Sequence, residues 1–287
     1  MTSVTAAKDR RSAAAESERL FRIGLARAFG GAIIFSLPIF MTMEMWYLGF
    51  YMDRLRLALM LAAGVPLLVG LSHYVGFEDT FNWREDLIDA FVAYAVGFAA
   101  AGTVLLCFGV IGPDMTADEI VGKVSLQALA GAIGALLAQN QFGQSVNDAE
   151  PPGQRVKGYF AELFIMAVGA TFLAFNVAPT EEMIVISFQM TVWHTLALVL
   201  LSLLMMHGFV YALRFQGQEE HRPEDAPGWS LFLRYTVAGY AVCLVMSLYV
   251  LWSFGRLDGM GVRSAVMAAM VLCFPASVGA AAARLIL

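Results

Sequence analysis

The run AFGGAIIFSLPIFMTMEMWYLGF, residues 28–50, decides the fold: it is long enough to cross a bilayer as one helix, and its only charged side chain is Glu44. A span needs ~20 mostly apolar residues at ~1.5 Å each. A charged carboxylate deep in hydrocarbon costs at least ~2.5 kcal/mol, so Glu44 has to be protonated, paired, or turned to protein or water. Counting from Arg27 puts it ~25 Å along the helix, in the outer third of the bilayer.

Comparable runs recur along the chain, at about 27–51, 56–77, 87–111, 121–140, 158–178, 183–213, 230–254 and 262–286. With 59% hydrophobic and 14% charged residues and a mean hydropathy of +0.69, the chain lies far from the balance of a soluble domain. The expectation is an all-α polytopic membrane protein of eight spans. The fourth span, VSLQALAGAIGALLAQNQ, is rich in alanine, glycine and glutamine, which suits contact with other helices better than with lipid. Residues 1–26 read as a cytoplasmic tail, frayed or lying on the surface, with no apolar core of a signal peptide.

Basic residues set the orientation. If the N-terminus is inside, only Arg54, Arg56, Lys123, Arg256 and Arg263 fall outside, and the other thirteen of the eighteen lie in cytoplasmic segments. Both termini are therefore expected in the cytoplasm. The net charge of −5 comes mainly from loop acids and gives no sign of nucleic-acid binding. Cys107, Cys243 and Cys273 fall within spans without CxxC spacing and read as packing residues.

Residues 94–109, YAVGFAAAGTVLLCFG, parallel residues 240–255, YAVCLVMSLYVLWSFG, at an offset of 146. His73 before Tyr-Val-Gly-Phe parallels His207 before Gly-Phe-Val-Tyr at an offset of 134, the longer loop at 214–228 accounting for the difference. These matches suggest two four-helix repeats, 27–140 and 158–287, joined by a cytoplasmic linker at 141–157. Units with an even number of crossings enter the membrane in the same sense, so a pseudo-twofold axis along the membrane normal would relate them.

The stretch RAFGGAIIFSLPIFMTMEMWYLGFYMDRLRL, residues 27–57, resembles the signature first hairpin of a family of uncharacterised bacterial multi-pass integral membrane proteins. The resemblance implies a bacterial inner-membrane location and brings no activity, cofactor or catalytic residue.

The candidate site residues are polar points in this apolar chain. Glu44 shares a helical face with Leu37, Phe40, Met41, Tyr47, Leu48 and Tyr51, and Asn176 falls near the corresponding place in the second half. Ser187, Thr191 and His194 follow at i, i+4 and i+7 with Gln189 beside them, which places His194 near mid-membrane. Glu44, Tyr47, Asn176, Gln189, Thr191 and His194 thus outline a pathway for a small solute, cation or proton; the plain structural alternative is that each only satisfies a neighbouring helix. Glu162 and Asp89 read as acids near helix starts, and Trp46, Trp83, Trp229 and Trp252 as interfacial anchors. GxxxxGK[ST], HExxH, GxSxG and histidine-box patterns are missing, so no cofactor or metal is expected. A transporter or channel is the leading expectation, with a membrane-embedded enzyme or an assembly protein as the alternative; the partners are lipid and a small ion or solute, with oligomerisation open.

Overall fold

The computed structural model describes residues 2–75, 83–142, 158–212, 229 and 232–286. In chain order the helices are α1 (Thr2–Phe40), α2 (Met43–Tyr51), α3 (Arg54–Val75), α4 (Trp83–Cys107), α5 (Ala117–Phe142), α6 (Tyr159–Val177), α7 (Glu181–Gln189) and α8 (Val192–Ala212). A π-helical turn, Phe232–Val237, then runs into α9 (Ala238–Ser253), and α10 (Val262–Ile286) closes the chain. Eight of these helices are long and apolar enough to span a bilayer. The tail is helical from Thr2 and continuous with the first span. The loop 214–228, with His221, and residues 143–157 of the linker lie outside the described residues.

Two of the expected spans are each two helices. The first, 27–51, stops at Phe40 and resumes as α2. Pro38 removes one helical N–H and crowds the preceding turn, which weakens continuation beyond it. The carbonyls left at the helix end find other donors: Thr42 Oγ1 donates to Pro38 O at 2.6 Å, Thr42 N to Ile39 O at 3.2 Å, and Trp46 Nε1 to Phe40 O at 2.8 Å. Trp46 therefore caps α1.

The second, 183–213, is α7 and α8 with a break at Met190-Thr191. Before α7, Thr180 turns the chain as Thr42 does, with its N and Oγ1 both on Val177 O, at 3.1 and 2.8 Å. The sequence Thr-x-Glu-Met opens both nine-residue helices, at 42–45 and 180–183, and both methionines are buried.

The helices pack around α5 and α10, both rich in small residues. The α5 span is 72% buried within the protein, whereas the α8 span is only 11% buried and faces outward. Gly31 of α1 lies so close to α5 that an added Cβ would come within 1.9 Å of Ala138 Cβ and 2.9 Å of Gly134 O. In the second half, a Cβ on Gly169 of α6 would meet Gly279 O of α10 at 2.3 Å and Ala283 Cβ at 2.5 Å. Small residues let backbones approach, and in lipid this packing carries the association that the hydrophobic effect supplies in water.

The Phe-Gly pairs at 108–109 and 254–255 close α4 and α9 in the same way. Gly109 and Gly255 take φ of +69° and +70°, and the following N–H groups, of Val110 and Arg256, reach back to Leu105 O and Leu251 O, both at 2.9 Å. This is the glycine-dependent Schellman closure of a helix end.

Contacts between residues 27–140 and 158–286 are sparser and use larger side chains. Phe35 meets Phe172 edge-on at 6.1 Å, Tyr74 meets Phe164 at 5.4 Å, and the Phe164 ring fills the space beside Gly70. Arg56 of α3 reaches Asp258 in the α9–α10 loop at 2.8 Å and donates to Trp252 O at 3.1 Å.

Candidate functional site

The α1 apolar span, Phe21–Phe40, is about 30 Å long, enough to cross the hydrocarbon by itself. Glu44 lies past its end, in the first turn of α2, at the end of the bundle that also holds α7 and the two Phe-Gly loops, here called the broken end. The expectation of one continuous helix carrying Glu44 is thus corrected, and with it the shared face with Leu37, Phe40 and Met41. Glu44 is half-buried and its carboxylate has no hydrogen-bond or ion-pair partner among the described residues. An acid in a first turn complements the helix dipole. Tyr47, one turn on, is exposed. Opposite them, Met45, Leu48 and Gly49 bury α2 against the start of α5, where Gly49 leaves no room for a Cβ beside the Lys123 backbone.

His194 is in the first turn of α8, and the expected single helix running from Ser187 through Thr191 to His194 is interrupted by the break. Thr191 N donates to His194 Nδ1 at 3.2 Å, with the Thr191 hydroxyl 2.8 Å from the same nitrogen and His194 N 3.5 Å from that hydroxyl. This is a reciprocal cap with histidine in the place usually held by Glu or Gln. Because Nδ1 accepts from a backbone N–H, the proton of the neutral ring sits on Nε2. Gln189 ends α7 and is exposed, so the stripe Ser187–Thr191–His194 does not form on one helix.

Asn176 lies in the last turn of α6, and its Nδ2 donates to Phe172 O at 2.8 Å. Measured from the helix breaks, the residue placed as Glu44 is placed is Glu182, not Asn176. No hydrogen bond or ion pair joins Glu44 to Asn176, Thr191 or His194 among the described residues.

Apart from Asn176, sequence inspection missed a different set. Among the described residues, the buried side-chain atoms without a hydrogen-bond partner are Ser36 Oγ, Gln127 Oε1, Asn176 Oδ1, Tyr249 Oη, Ser253 Oγ and Arg256 Nε. Ser36 and Gln127 are fully buried, on the packed helices α1 and α5. The other four lie at the broken end of α6 and α9. There the Phe175 and Phe254 rings meet edge-on at 5.2 Å, and Arg256 Nη2 donates to Pro179 O. Each unpartnered atom forgoes a hydrogen bond it would have in water, a cost of ~1–3 kcal/mol.

At the opposite end the polar groups are paired. Asp86, 2% exposed, meets His73 Nδ1 at 3.1 Å, and Ser72 donates to Asp89 at 3.2 Å. Arg284 pairs with Glu162 at 2.6 Å and lies over the Tyr235 ring at 5.2 Å, so Glu162 does more than complement a helix dipole. His207 meets the Thr236 hydroxyl at 3.1 Å. No cluster of three or more metal-ligating side chains is found among the described residues.

A protein family described as "Putative integral membrane protein (DUF2391)" matches residues 24–287. The chain belongs to this family. No curated protein and no solved structure matches it. As a DUF2391 member it is an integral membrane protein crossing the bilayer several times, and the match takes in seven spans whole, all but the first three residues of the span Phe21–Phe40, and both helix breaks.

Proposed function

We propose that the protein carries a small solute, cation or proton across the bacterial inner membrane, with both termini in the cytoplasm as the basic residues suggest. The observation that supports this most is the set of buried, unpartnered polar atoms in a bundle that is otherwise apolar. Such atoms are costly unless water or a solute meets them in some state of the protein. Asn176 belongs to that set. Glu44, Tyr47, Gln189, Thr191 and His194 then stand at the mouth of the path rather than midway along it.

In this reading the two halves are duplicated four-helix units that move against each other. The repeated Thr-x-Glu-Met starts, Phe-Gly closures and glycine contacts support duplication, and the tight packing within each half against aromatic contacts between them supports movement. Cysteines at Tyr74 and Phe164 in a cysteine-free background, cross-linked across that contact, should stop flux into reconstituted vesicles, and reduction should restore it. Flux unchanged by the cross-link sinks the two-body mechanism.

Glu44→Gln keeps size and hydrogen bonding but removes the charge. It should lower proton or cation flux several-fold while leaving the melting temperature unchanged. Equal flux at every pH retires Glu44 from the path.

A further inference from the structure

We infer that the broken end of the second half binds a small organic anion that also carries a hydrogen-bond donor, an α-hydroxy- or α-amino-carboxylate, through Asn176, Tyr249, Ser253 and Arg256. This deepens the transport reading by naming a substrate class, and it rests on that reading only for the step of translocation.

Four side chains with buried polar atoms lie near the ends of two packed helices, and the Tyr249 and Ser253 hydroxyls are within reach of one another. Tyr249 and Ser253 are one turn apart on α9, so their hydroxyls share a face, and Ser253 is fully buried. Asn176 lies near the end of α6, three residues before Pro179, and Ser253 ends α9, three residues before Arg256, so the Arg256–Pro179 contact ties the two helix ends together. Phe175 and Phe254 pack between the helices at the same level.

The chemistry of the free atoms is specific. Arg256 Nε is a donor only. The Asn176 amide is fixed by Phe172 O, which can only accept, so Nδ2 faces it and the free atom is the acceptor Oδ1. The two hydroxyls can serve either way.

Charge favours an anion. Of the acids near this corner, Asp53 and Asp258 are turned to Arg56, Asp258 binding its guanidinium and Asp53 its backbone N–H at 2.9 Å, while Glu181 and Glu182 at the start of α7 are exposed. Arg256 has only a backbone carbonyl among the described residues. A partly buried arginine without a counter-ion is costly, and a carboxylate would supply both the charge and the acceptor that Nε lacks. The ligand's own hydroxyl or ammonium would then donate to Asn176 Oδ1.

The test is calorimetric titration of the purified full-length protein in detergent with glycolate, glycine and acetate. Glycolate or glycine should bind, and acetate, which has no donor for Asn176, should bind several-fold more weakly. Arg256→Gln should weaken glycolate binding roughly tenfold or more, a loss of ~1.4 kcal/mol or more. Ser253→Ala should weaken it several-fold, with the unliganded melting temperature of each variant checking the fold. Should Arg256→Gln unfold, Asn176→Leu provides the second variant, and it should erase the preference over acetate.

If neither glycolate nor glycine binds the parent, or if the folded variants bind as the parent does, water alone fills the site and the inference is wrong. The binding assay is independent of flux. Glycolate binding without flux in vesicles leaves the site and removes the transport reading; flux without anion binding does the reverse.

Discussion

Gly169→Leu should abolish folding of the second half, and even Gly169→Ala should destabilise the protein by roughly 1–3 kcal/mol. The Cβ added by alanine would sit 2.3 Å from Gly279 O, a backbone atom that cannot rotate away, so α6 and α10 would have to separate. The same reasoning applies to Gly31, where the added carbon meets Ala138 Cβ at 1.9 Å. Gly102 in α4 is the internal comparison, because nothing lies within 4 Å of its would-be Cβ. Gly102→Ala should be neutral or slightly stabilising, as expected for a helix interior relieved of glycine. Thermal melts in detergent, followed by size-exclusion chromatography, separate these outcomes. Equal melts for Gly169→Ala and Gly102→Ala would mean the α6–α10 contact is looser than described.

Glu162→Leu should cost about 3–5 kcal/mol, because it leaves Arg284 without its carboxylate in a place where that side chain is only 11% exposed. The double change Glu162→Leu with Arg284→Met should cost less than the single one, since two apolar side chains pack where one unpaired charge cannot. Denaturant titration in mixed micelles measures both. A single-variant loss below about 1 kcal/mol would place the pair in a well-hydrated setting, where ion pairs contribute little.

The spans were legible because a bilayer demands long apolar runs, and the small-residue composition of 124–141 announced a helix buried among others. The two breaks were not, because MTMEMWYLGF and SFQMTVWHTL are apolar enough to continue a span. Their signals are chemical: Pro38 followed by Thr42, and Thr180 and Thr191 as residues able to take over orphaned backbone groups. Hydropathy averages such residues away. The cap formed by Thr191 and His194 was hidden because histidine stands where a capping pattern has Glu or Gln.

The Phe-Gly pairs were visible as a coincidence between two helices, but their reason, a left-handed glycine closing each helix, is a property of backbone angles. The Asn176, Tyr249, Ser253 and Arg256 set depends on which helix ends lie side by side. Spacing along the chain carries no trace of that.

The contrast between glycine contacts inside each half and aromatic contacts between halves bears on how the chain is made. Gly31, Gly97, Gly131 and Gly134 make their nearest contacts within α1–α5, whereas Gly70 of α3 has its nearest contact in Phe164 of α6. The contacts between 27–140 and 158–286 at Phe35, Tyr74 and Arg56 can form only once the later helices are made. The surface that the first segment leaves open until the second is made is mainly aromatic, with Arg56 as its charged point.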